Sequence, residues 1–240
     1  MLERAEAKLR APAPRAFASY LRAVGAVIWK DLTAELRSRE LLGAMLVFGL
    51  LVILIFNFAL ELDVRTRQSV TAGVLWVTFA FAGTLGLNRA MAGERERGCL
   101  DGLLLAPVDR SALFFGKALG NLLFMLIVAA IILPVYSLLY NVNLFRPALA
   151  GVIVLGSIGY VIVGTLFSAM AVQARTRDIL LPILLFPVVL PVLIAAVRAT
   201  NSILLAIPIA EIRGWLNLLI VYDLLFTAVA IMTFDYVVEE

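Results

Sequence analysis

Charged residues crowd one stretch of an otherwise oily chain. Glu94, Arg95, Glu96, Arg97, Asp101, Asp109 and Arg110 fall within seventeen residues, and Lys117 follows. Alternating carboxylates and guanidiniums can pair with one another or present charge to a partner, but they lack the parts for covalent catalysis. The chain has no histidine and one cysteine, Cys99, which excludes imidazole ligation and an internal disulfide. No metal-ligand cluster and no nucleophile motif accompanies them, so no catalytic and no metal site is expected. A phosphate-cradling loop needs G-x-x-x-x-G-K followed by Ser or Thr. The one Gly-Lys pair, Gly116-Lys117, precedes Ala118 and has Ser111 five positions before Gly116. If ATP drives this chain, another chain binds it.

Three further polar positions interrupt apolar runs. Asp223 stands within VYDLLFTAVA, about eight residues into the last span as read from sequence, hence ~12 Å deep. A carboxyl there is costly and faces protein rather than lipid. It is either a contact at a dimer or partner interface that shifts with conformation, or a hydrogen bond to a neighbouring helix. Arg198 and Arg213 flank an apolar connection and serve either a partner or topology anchoring.

The elements that must position these residues are membrane helices. The composition is 63% hydrophobic and 15% charged, with a mean hydropathy of +1.02, against about half apolar and a quarter charged in soluble domains. The isoelectric point near 9.2 reflects basic residues held on one side of a membrane rather than a nucleic-acid partner. A span needs about 20 mostly apolar residues, and six are expected: Leu41–Leu60, Val70–Ala90, Ala112–Tyr140, Ala148–Val172, Ile179–Val197 and Trp215–Val237. Of the 20 Lys and Arg residues, fifteen fall before span one, between spans two and three, or between four and five. That bias places both termini in the cytoplasm. RATNSILLAIPIAEIRG, between spans five and six, is too apolar for a free loop and reads as short helices tucked into the outer leaflet.

Residues 1–15 read as a flexible cytoplasmic tail. Residues 16–40 read as an amphipathic helix in the membrane plane, because Phe17, Tyr20, Leu21, Val24, Val27, Ile28 and Leu32 fall within about 140° of arc. Residues 41–240 form the six-span domain. Within the charged stretch, Glu94, Arg97 and Asp101 share one side of a short helix and Leu100, Leu103 and Leu104 another. Ala106-Pro107 ends that helix, and Asp109 or Ser111 caps the next. Gly116 and Gly120 form a small-xxx-small pair suited to packing. A solvated loop that only anchors topology remains an alternative for the charged stretch.

The wording of GERERGCLDGLLLAPVDRSALFFGKALGN resembles the CcmB family, the haem exporter permease subunits of the cytochrome c maturation ABC transporter. WKDLTAELRSRE, VLWVTFAFAGTLGLNRAMAGERE, VYDLLFTAVA and the ending FDYVVEE agree with it. Cys99 stands where a small polar residue would be expected. The resemblance implies an all-α integral membrane protein: six transmembrane helices after an interfacial helix, an ABC-2 type (type V exporter-like) half-transporter. It implies a cytoplasmic coupling helix at about 92–108 that docks on an ATPase subunit, CcmA. Its contact and shaping positions would be Glu94, Arg95, Glu96, Gly98, Leu100, Asp101, Gly102, Pro107, Asp109 and Arg110. It implies a second copy of the chain, CcmC and CcmD as neighbours, the haem chaperone CcmE as recipient, and the bacterial inner membrane as location. Haem would be held by partners and no cofactor by this chain, with Arg198 and Arg213 open to a haem propionate at the outer surface. Export of another substrate by an ABC-2 permease, and a membrane scaffold that transports nothing, remain alternatives.

Overall fold

Apolar runs of this length, with backbone polar groups that lipid cannot satisfy, have to fold as helices. The computed structural model describes residues 13–59, 64–96, 109–171 and 177–239, with side chains described for 18–59, 70–90, 109–171, 178–208 and 210–234. Every regular element among them is a helix: α1 (Ala13–Ser38), α2 (Glu40–Ala59), α3 (Val64–Glu96), α4 (Arg110–Tyr140), α5 (Pro147–Ala171), α6 (Arg177–Leu204) and α7 (Ile209–Glu239). The last six each contain a stretch long and apolar enough to cross a membrane. The chain is a multi-pass membrane protein. Of the expected tail at 1–15, residues 1–12 lie outside the described residues and 13–15 are the first residues of α1.

Two spans lie at the centre. Their windows are 72% buried in α3 and 67% in α5, against 22% in α2 and α7. The outer helices turn Phe58, Ile183 and Leu224 outward, as a lipid-facing surface requires. The core between α3, α5 and α6 is fastened by polar groups paired inside it. The Trp76 indole donates to Thr200 Oγ1 at 2.9 Å, and the Tyr160 and Thr84 hydroxyls lie 2.6 Å apart. Thr200→Val is expected to orphan the indole N–H and cost about 1 kcal/mol. The check is the unfolding temperature in detergent relative to wild type.

Spans five and six are longer than their expected ranges. They run Asp178–Leu204 and Ala210–Phe234, so residues 198–214 form no separate tucked helices. The reason is packing: Ala199, Thr200, Ile203 and Ile212 are all buried, which holds both helices regular up to the turn. The break comes where Ala206 adopts φ 58° and Pro208, lacking an N–H, starts the next helix. Across the bundle end, Arg146 donates to the carbonyls of Ile203 and Leu204. It thus caps the last turn of α6, where a cation suits the helix dipole.

Candidate coupling end and intramembrane carboxylate

The charged stretch opens inside a span's own helix. Glu94, Arg95 and Glu96 are the last residues of α3, continuous with the second span, so the expected short helix has no separate start at 92. Only their backbone is described. Gly98, Leu100, Asp101, Gly102 and Pro107, together with Cys99, lie outside the described residues.

The described chain resumes at Asp109, which caps α4. Its Oδ1 accepts the Ser111 amide at 2.9 Å and the Ser111 hydroxyl at 2.7 Å, satisfying an amide that the helix start would leave unpaired. Of the two expected caps Asp109 is the one used, with Ser111 bonded to it. Arg110, half-buried, is the first residue of α4.

The start of α4 is gripped from two sides. On one side α1 crosses it: Val27 packs where Gly116 has no side chain, and Asp31 lies over Gly120. The small-xxx-small pair is therefore a helix seat. Lys117, which follows the loop charges in sequence, lies inside α4 as the expected span has it, and is 4% exposed. Its ammonium meets Asp31 at 2.8 and 3.0 Å. On the other side Phe234 of α7, which opens the FDYVVEE ending, lies 5.1 Å from Phe114.

Helix α1 packs against α4 and the start of α2 and leaves the rest of its surface open. Val24, Val27 and Glu35 are buried, while Leu21, Trp29 and Leu36 on the next sector are exposed. The apolar arc read from sequence is thus shared between α4 and an open apolar flank. Asp31 and Glu35 fall inside that same arc at 100° per residue. Two carboxylates on an otherwise apolar face were the signal for a buried polar contact, and sequence reading passed over them.

Asp223 is deeper than expected. With its span beginning at Ala210, it stands thirteen residues in, about 20 Å at 1.5 Å per residue, near the middle of the helix. It is 8% exposed, and both carboxyl oxygens are buried without a hydrogen-bond partner. The expected hydrogen bond to a neighbouring helix is therefore absent. Its carboxyl occupies the place a side chain at Gly159 of α5 would take, with Val192 of α6 alongside. The adjacent Tyr222 hydroxyl donates to the Val188 carbonyl of α6 at 2.9 Å. Arg198 on α6 and Arg213 on α7 are both exposed on either side of the α6–α7 turn.

Comparison with known proteins fits this architecture. The chain is similar to Heme exporter protein B of Rhodobacter capsulatus, 27% identical over 79% of this chain and 89% of the relative. It is similar also to the proteins of that name from Paracoccus denitrificans, 29% identical over 73% and 81%, and from Pseudomonas aeruginosa, 27% identical over 78% and 84%. The family described as CcmB protein matches residues 22–238, taking in α1 from its third turn, the charged stretch and every span; the chain belongs to the CcmB family.

Proposed function

We propose that this chain is the permease subunit of an ABC-type complex for cytochrome c maturation, in which a separate ATPase subunit of the CcmA kind supplies the energy. The observation that carries the reading is the placement of the charged stretch. It joins the central span α3 directly to α4, whose first turns are clamped by α1 and by the end of α7. A force applied to residues 94–110 enters the bundle at once. Glu94, Arg95, Glu96, Gly98, Leu100, Asp101, Gly102, Pro107 and Arg110 form the docking surface, and Asp109 sets the angle at which it meets α4.

The cargo is haem, or the haem-loaded chaperone CcmE released on the periplasmic side. The relatives' name supports haem, and the absence of histidine leaves its ligation to partners of the CcmC and CcmD kind. Two copies of the chain pair in the inner membrane, both termini in the cytoplasm. Arg198 and Arg213 stand at the outer end, where an anionic propionate or a partner meets them. Asp223 is a contact made in another conformation, because in this one it contacts no donor.

The experiment is co-purification from mild detergent with a tagged chain. The ATPase subunit should accompany the wild type in equal amount, and Glu94→Lys/Asp101→Lys should release it while the chain still inserts. Cytochrome c yield in the double variant should fall by at least about tenfold, since reversal places like charges across a docked surface. A chain that purifies alone, with a variant of wild-type yield, would overturn the reading.

A further inference from the structure

Asp31 and Glu35 lie one turn apart on the same side of α1, yet they hold different spans. Asp31 receives the Lys117 ammonium of α4 on both oxygens. Glu35 accepts the amides of Leu41 at 3.3 Å and Leu42 at 2.8 Å, in the first turn of α2. Those amides have no acceptor within their own helix, so Glu35 is the cap of the first span. The connection between them has no slack. Arg39 alone separates the helices, at φ 54°, and its amide donates to the Glu35 carbonyl at 2.7 Å.

Packing seals both contacts. Val27 and Asp31 sit over Gly116 and Gly120, and Glu35 is 7% exposed. Water is a poor substitute for either carboxylate at such sites. Arg89, near the end of the second span, adds a longer contact to the Glu40 carbonyl at 3.5 Å.

We propose that α1 is a yoke, joining the start of α4 to the start of α2 through Asp31 and Glu35 so that displacement of one is carried to the other. Lys117 is the eighth residue of α4, about two turns beyond the charged stretch. The mechanical claim stands by itself; its use in transport rests on the coupling role proposed above. In that role the yoke delivers the stroke to α2, a span that the charged stretch does not adjoin in sequence. Asp31 and Glu35 are then positioning residues.

Hydrogen exchange on the full chain, purified with its partners, tests this. Asp31→Asn removes the ion pair to α4 and leaves the Glu35 bonds to α2 in place. The peptide holding Leu41 and Leu42 should exchange about tenfold faster, while a peptide from the middle of α5 stays unchanged. Asp31→Glu, which keeps the charge, should restore most of the protection. Should Asp31→Asn fail to insert because the Lys117 charge is left buried, Asp31→Asn/Lys117→Gln carries no such charge and is read the same way. Unchanged exchange at Leu41 and Leu42 in an inserted variant overturns the yoke, since α1 then holds the two spans independently. Cytochrome c yield should drop in Asp31→Asn with the ATPase subunit still bound. If no ATPase subunit accompanies even the wild type, the coupling role fails, and faster exchange still leaves the yoke standing.

Discussion

Asp223→Leu should make the protein harder to unfold and unable to sustain cytochrome c maturation. Both carboxyl oxygens are buried without a partner, so no donor is orphaned when they go. A buried unsatisfied polar group costs about 1–3 kcal/mol, and leucine of similar size removes it while filling the space beside Gly159 and Val192. The unfolding temperature in detergent should therefore rise by several degrees. Yield of c-type cytochrome should fall at least about tenfold, the usual trade between stability and activity at a working site. Asp223→Asn, which keeps the shape, should lie between wild type and leucine in both measurements. A fall in stability with leucine would mean that the carboxyl holds this conformation together, and its assignment to another conformation would be lost.

The second large effect is expected at Gly156. A Cβ there would lie 2.8 and 3.1 Å from two carbons of the Trp76 ring, with a third closer still. The ring has nowhere to retreat: it is 1% exposed, bonded through its nitrogen to Thr200 and edge-on to Phe79 at 5.7 Å. Gly156→Val must push α5 away from α3, the two most buried spans. Overpacking costs about 1–3 kcal/mol in ordinary cores, and the strained indole hydrogen bond adds about 1 kcal/mol more. Little folded protein should be recovered, with a much lower unfolding temperature. Gly151→Val, where nothing lies within 4 Å, is the control and should behave as wild type. Equal behaviour of the two variants would show that α3 and α5 do not meet as described.

The spans were legible because lipid imposes one rule on every residue of a helix, and the expected Val70–Ala90 lies wholly inside α3 (Val64–Glu96). The cap at Asp109 was legible for a similar reason, since capping is decided within three residues. Helix ends set by tertiary contact were not. Nothing local says that Thr200 must stay helical to reach Trp76, so residues 198–204 read as a connection. Lys117 shows the same limit: its place in the third span is expected, while its partner lies 86 residues earlier in sequence. Asp31 and Glu35 were within reach, because a carboxylate on an apolar arc is itself a sign of a buried partner. Which span each would hold depended on the path of the chain between α1 and α2.

The three prolines of α6, Pro182, Pro187 and Pro191, bear on how the chain is made. Each withholds an N–H from the carbonyl four residues before it, and lipid offers no replacement. The carbonyls so freed are those of Asp178, Ile183 and Pro187, whereas Tyr222 of α7, synthesised later, donates to Val188, whose helical donor Val192 is intact. Arg146, which closes the other end of α6, is made earlier and is already waiting. As the chain leaves the ribosome, α6 is thus a finished span at its carboxyl end and an unfinished one along its middle. Its side-chain bond from Tyr222 forms only when α7 arrives, so the packing of the last two spans finishes together.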